Sequence, residues 1–140
     1  GRLDEHTGKG GFLNISGLVA EAAGWLQRLK VKAPDIDAPV QSLSGGNQQR
    51  VVLARWLSRA PRVLILNGPS VGVDVGSKAD IHDIIRDLAR HGIGIIVISD
   101  DLPELLATCH RIMVMREGRV IEEVAGGSVT EEELAHRLAS

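Results

Sequence analysis

The sequence predicts an α/β fold: a mainly parallel sheet flanked by helices, with a C-terminal antiparallel hairpin. Three observations carry this. Arg62-Val63-Leu64-Ile65-Leu66 and the run at residues 93–98 are short, apolar and β-branched, as strands buried on both faces are. Segments with apolar residues at helical spacing precede both runs. Residues 111–115 and 119–124 read as two strands joined in a hairpin through Arg116-Glu117-Gly118. Alternation of helix and buried strand builds a sheet with helical cover, the hairpin lying at its edge.

In chain order, residues 1–13 are Gly-rich and polar and read as a loop or linker. Gly8-Lys9 invites comparison with a P-loop, but Leu3 and Gly10 occupy the places that need Gly and Ser or Thr. From Ser16 to Lys30 the apolar residues fall at Leu18/Val19, Ala22/Ala23, Trp25/Leu26 and Leu29, one buried helical face that Asn14 or Ser16 is placed to cap. Residues 32–42, with Pro34 and Pro39, form an irregular connector. A second helix is expected from Gln48 to Arg59, with Pro61 helping to stop it.

The strand at 62–66 ends in the turn Asn67-Gly68-Pro69-Ser70. After the loop Gly72-Val73-Asp74-Val75-Gly76, Ser77 is placed to cap a helix that runs to about Arg90, burying Ile81, Ile84/Ile85 and Leu88. His91-Gly92 closes that helix. The strand at 93–98 ends in Ser99-Asp100-Asp101, and a short helix over 102–108 carries Pro103 in its first turn. Thr130 and Glu133 form a capping box for a terminal helix.

With 140 residues, 44% apolar and 24% charged, the chain can bury a core. A net charge of −2 gives no support for a nucleic-acid partner. No apolar run reaches the roughly 20 residues of a membrane span. Cys109 is the single cysteine and, among Leu105, Leu106 and Ile112, reads as a buried structural thiol. The five histidines have no ligand spacing, so no metal site is expected from them.

The stretch Leu43-Ser44-Gly45-Gly46-Asn47-Gln48-Gln49-Arg50 carries the chemistry. A serine and two glycines lead into a helix whose first turn offers unpaired N–H groups, an arrangement suited to phosphate. Taken alone, Ser-Gly-Gly also fits an ordinary flexible loop. Together with the later segments of the chain, the octapeptide resembles the signature of the ATP-binding-cassette (ABC) ATPases. Val63-Leu64-Ile65-Leu66 resembles their Walker B strand, Gly72-Val73-Asp74 their D-loop, and Ile98-Ser99-Asp100-Asp101-Leu102-Pro103-Glu104 their switch segment. The variant signature, with Gly72-Val73-Asp74-Val75-Gly76-Ser77-Lys78, is similar to the second cassette of importers for ribose, galactose and related sugars.

The resemblance implies part of a P-loop NTPase core. Residues 14–60 correspond to the end of the helical subdomain with the signature helix, and residues 61–140 to the second half of the catalytic core. Walker A and the Q-loop are absent, which would leave strand edges unpaired, so dimerisation through that edge or a disordered N-terminal part is expected. Asn67 stands where the family has the Walker B aspartate, Gly68 at the catalytic glutamate and Asp100 at the switch histidine. Asn67 lacks the charge that holds Mg²⁺, and Gly68 cannot orient water. Asp100 sets a carboxylate where a donor to phosphate is wanted. Two like charges about 4 Å apart at an effective dielectric near 20 repel by about 4 kcal/mol.

In the family two cassettes sandwich two ATP molecules, each nucleotide meeting one cassette's Walker motifs and the other's signature. The resemblance therefore implies that Ser44, Gly45, Gly46, Asn47 and Gln48 meet the ATP of a partner cassette, with Asp74 coupling the two sites. This chain's own site is expected to be non-hydrolytic, and the isolated chain to lack ATPase activity. Random decay would strike the signature glycines as readily as Walker B. The implied cofactors are ATP and Mg²⁺ in the assembled transporter. The implied partners are a second nucleotide-binding domain, transmembrane permease subunits and, indirectly, a periplasmic sugar-binding protein, with the chain peripheral at the cytoplasmic face of a bacterial inner membrane. A soluble ABC-type ATPase of DNA repair or translation, or a non-catalytic α/β interaction module, are the alternative readings.

Overall fold

The computed structural model describes Thr7 and residues 13–139. The reading of residues 1–13 as linker lies otherwise outside the described residues; Thr7 and Leu13 form an isolated antiparallel bridge. Two compact units are present. One holds the chain up to Arg62 together with Gly72–Lys78, the other Val63–Val71 together with the chain from Ala79.

In the first unit, α1 (Ile15–Arg28) begins where Asn14 Oδ1 accepts from the Gly17 backbone N–H, which settles the cap between the two candidates. No residue of α1 is fully buried; only Leu29, just past its end, is. The expected buried face is thus half-covered. After the connector and a 3-10 turn at Val40–Ser42, α2 spans Gly45–Leu57. It starts three residues before the expected Gln48, because extended Ser44 takes the cap position and the glycines lie in the first turn. It also ends short of Arg59. Ala60 turns left-handed (φ 48°) ahead of Pro61, whose ring disfavours a helical residue before it. Leu53, Ala54 and Leu57 form the buried stripe of α2, and buried Arg50 donates to the Lys30 carbonyl at 2.7 Å.

In the second unit, β1 (Val63–Asn67) and β2 (Gly94–Ile98) pair in parallel, from Val63 opposite Gly94 to Asn67 opposite Ile98. Leu64 and Leu66 are buried, whereas Val63, Ile65, Ile96 and Ile98 are exposed. The expectation of strands buried on both faces is therefore corrected: one face of this two-stranded ladder stays open. α3 (Val75–Arg90), which belongs to this unit from Ala79 onward, buries Ile81 and Ile85 and is followed by Gly92, whose φ of 89° suits the left-handed C-cap.

The hairpin of β3 (Arg111–Arg116) and β4 (Arg119–Ala125) is a separate two-stranded sheet rather than an edge of the parallel one. Its turn uses left-handed Glu117 and Gly118, which match the twist of the strands. Ile112, Val114 and Val124 pack with Leu134 of α5 (Glu131–Ala139), and Leu102, Leu105 and Leu106 of α4 (Leu102–Thr108) flank them. Cys109, read as buried, is half-buried against this cluster. The capping box forms as expected: Thr130 N–H donates to Glu133 Oε2 (2.8 Å), and Glu133 N–H to Thr130 Oγ1 (3.2 Å).

Candidate functional site

The sequence-predicted residues fall into two groups, one in each unit. In the first, Ser44 and Gly45 are exposed, Gly46 is buried, and Asn47 and Gln48 are half-buried. Ser44 makes no side-chain cap bond to α2, so the first-turn N–H groups lack a capping side chain. Instead the Ser44 hydroxyl oxygen accepts from Asn47 Nδ2 at 2.9 Å. Asn47 Oδ1 accepts from the Lys32 backbone N–H at 2.8 Å. Gln48 Nε2 donates to the Leu43 carbonyl at 2.8 Å. The two amide side chains expected to meet a nucleotide are thus turned back on their own chain. Ser44, Gly45 and the start of α2 remain facing outward.

The glycines also have a packing cause. A Cβ on Gly46 would lie 2.5 Å from Ser77 Oγ, and one on Gly45 would lie 3.1 Å from the Gly72 carbonyl oxygen. Packing against the 72–77 loop therefore leaves no room for a side chain at Gly46 and little at Gly45, whatever they do toward a ligand. In that loop Asp74, not Ser77, caps α3. Its Oδ1 accepts from the Ser77 N–H (2.9 Å) and its Oδ2 from the Ser77 hydroxyl (2.8 Å). Those two bonds, the backbone one first, hold the exposed Asp74 carboxyl below its ordinary range. The start of α2 and the 72–77 loop are thereby one packed element, with Ser77 between Gly46 and Asp74.

In the second unit, Asn67 ends β1 opposite Ile98, and the Gly68 N–H donates to the Ile98 carbonyl at 2.8 Å. Asp100, two residues on, is exposed at the same carboxyl edge of the strand pair, where ligands of parallel sheets gather. The donor set is a poor match for Mg²⁺: a neutral amide, a glycine and one carboxylate. Among the described residues no group of three or more His, Cys, Asp or Glu is placed to hold a metal ion. Gly68 has φ 55°, and a Cβ there would lie 2.8 Å from Val71 Cγ2. The place of the missing side chain is occupied.

Sequence reasoning did not single out His82 and Glu104. Glu104 is buried, its Oε1 lying 3.4 Å from His82 Nε2, and neither carboxylate oxygen has a hydrogen-bond partner. The one available signal was a Glu on the apolar face of a seven-residue helix.

The family model described as ABC transporter matches residues 5–71. Two ribose import ATP-binding proteins are among the similar sequences. RbsA 2 of Rhizobium meliloti is 49% identical over 93% of this chain and 25% of its own length. RbsA of Roseobacter denitrificans is 41% identical over 95% of this chain and 26% of its own. The chain spans about a quarter of the length of these relatives. A nucleotide-free ATP-binding cassette from an ABC transporter superposes with a TM-score of 0.73 at 26% identity, covering 94% of this chain and 55% of that one. A dimeric cassette bound to ADP and Pi gives 0.71 at 22% identity over 86% and 52%, a likeness of fold alone. The matched segment, the relatives and the cassette fold are all those of ABC transporter ATP-binding proteins, to which this chain is similar over most of its length.

Proposed function

We propose that this chain is part of the ATP-binding subunit of a carbohydrate ABC importer and supplies its signature in trans to ATP held by a partner cassette. The carrying observation is the exposed Ser44 hydroxyl at the uncapped start of α2, held by Asn47. Helix N–H groups, dipole and hydroxyl together favour an anion. Asn67, Gly68 and Asp100 leave the chain's own site non-hydrolytic, with one carboxylate and no group to orient water. The two groups would then serve different nucleotides, and the Asp74–Ser77–Gly46 packing would couple them.

Sugar as the cargo is supported by the names of the relatives, which are ribose import proteins. Among the described residues no helix is long and apolar enough to cross a membrane, and the membrane passage is assigned in this proposal to permease subunits. In the proposed assembly these bind the cassettes at the cytoplasmic face of the inner membrane, and a periplasmic sugar-binding protein delivers the cargo. ATP and Mg²⁺ would be held chiefly by the partner cassette. Photoreactive ATP trapped with vanadate in the assembled transporter tests this. Label is expected on the partner cassette and is expected to disappear with Ser44→Arg. Label that persists in that variant would contradict the reading.

A further inference from the structure

We propose that Asn47 is a positioning residue that fixes the polarity of the Ser44 hydroxyl, making it a hydrogen-bond donor toward an anionic ligand. This rests on the reading of Ser44 as the nucleotide-facing group. It changes the role of Asn47, which the sequence placed among the groups that touch the nucleotide.

A hydroxyl carries one hydrogen and two lone pairs, and which of them faces a ligand depends on its other partner. Here that partner is determined by a main-chain group. The Lys32 backbone N–H can only donate, so the Asn47 carboxamide must turn its oxygen to it, at 2.8 Å. The same orientation sets Nδ2 against Ser44 Oγ at 2.9 Å, and Nδ2 can only donate. One lone pair of Ser44 is thereby taken. Among the described residues its hydrogen has no acceptor, so the exposed hydroxyl is left to donate outward beside the first turn of the helix. A phosphate oxygen accepts such a bond, and bonds to charged acceptors are the stronger kind. Asn47 does this across fifteen positions of sequence, tying the connector after α1 to the start of α2.

Asn47→Asp is nearly isosteric and reverses the arrangement. A carboxylate accepts from both the Lys32 N–H and the Ser44 hydroxyl, so the serine would present only lone pairs to the ligand. In the assembled transporter, Ser44→Ala and Asn47→Asp are each expected to lower ATP turnover roughly tenfold or more, the scale of one bond to a charged acceptor. Asn47→Ala is expected to lower turnover when Ser44 is present and to add nothing to Ser44→Ala. Amide hydrogen exchange at Lys32 in Asn47→Asp reads whether the connector bond survives, and slow exchange is expected.

Wild-type turnover in Asn47→Asp, with Ser44→Ala impaired, would overturn the inference and leave the functional reading standing. So would an Asn47→Ala loss of equal size in the presence and absence of Ser44, the mark of a merely structural role. Fast exchange at Lys32 with turnover lost would also overturn it, since the loss would then follow from a detached connector. An unimpaired Ser44→Ala would remove the functional reading, and the inference with it.

Discussion

A Cβ built on Gly46 comes within 2.5 Å of the Ser77 hydroxyl oxygen, and the same hydroxyl donates to Asp74 Oδ2 at 2.8 Å. A side chain at position 46 therefore disturbs the cap of α3 as well as the start of α2. Gly46→Ala is expected to destabilise the protein by about 1–3 kcal/mol, the usual cost of overpacking. Ser77→Gly in the same chain should recover part of the loss. Denaturant unfolding of the single and double variants checks both. Equal stability of Gly46→Ala and wild type would show that the contact relaxes freely.

On the proposed reading, the strand-end site at Asn67, Gly68 and Asp100 is not made hydrolytic by a single side chain. Gly68→Glu puts a side chain on a left-handed residue and against Val71. A loss of about 1–3 kcal/mol is expected from the strained backbone. No gain in ATP turnover is expected, alone or with Asn67→Asp. A gain in the double variant would show that the carboxylates were the only missing parts.

The buried Glu104 carboxyl has His82 Nε2 3.4 Å from its Oε1 and no hydrogen bond to either oxygen. His82→Ala removes the polar group that faces this carboxyl and is expected to cost about 1–3 kcal/mol, as stranding a buried polar group does. Glu104→Met in the His82→Ala background removes the stranded polar group and should restore much of the loss. Thermal unfolding of the three variants decides. Additive losses would mean that the two residues do not interact.

Two capping carboxylates give the fold an acid-sensitive component. Hydrogen bonds from Ser77 hold Asp74 below its ordinary 3.8, and those from Thr130 hold Glu133 below 4.5. A depressed folded-state value means stabilisation that is complete above the unfolded value and is lost as pH falls through the folded one. Asp74→Ala with Glu133→Ala should therefore be less stable than wild type near neutrality. The difference should shrink as pH falls below about 4. A difference that holds constant into acid would contradict this.

The elements were largely legible because their causes are local. Asn14 and Thr130 cap helices through bonds to residues three positions on, and Gly92 and Gly118 sit at positive φ in turns. What escaped the sequence depended on distant partners or on where a helix begins. Val63 and Ile65 look like residues buried on both faces, but burial depends on what covers the second face of the ladder, and a run of apolar letters does not report that. Asp74 rather than Ser77 caps α3 because the helix already begins at Val75, which leaves Ser77 inside its first turn. At the candidate site, Ser44 and Gly45 are exposed. The inward turn of Asn47 to Lys32 was not legible, because the bond spans fifteen positions and leaves no periodic trace.

The central claim is that this chain's signature serves a nucleotide held elsewhere while its own strand-end site does no chemistry. ATP turnover of the assembled transporter carrying Ser44→Arg, beside one carrying Asn67→Ala, tests it most directly. Both positions are exposed, so neither change needs to disturb packing. Ser44→Arg is expected to abolish turnover and Asn67→Ala to leave it within about twofold of wild type, under about 0.5 kcal/mol in the barrier. Loss of turnover in Asn67→Ala with Ser44→Arg unaffected would contradict the account.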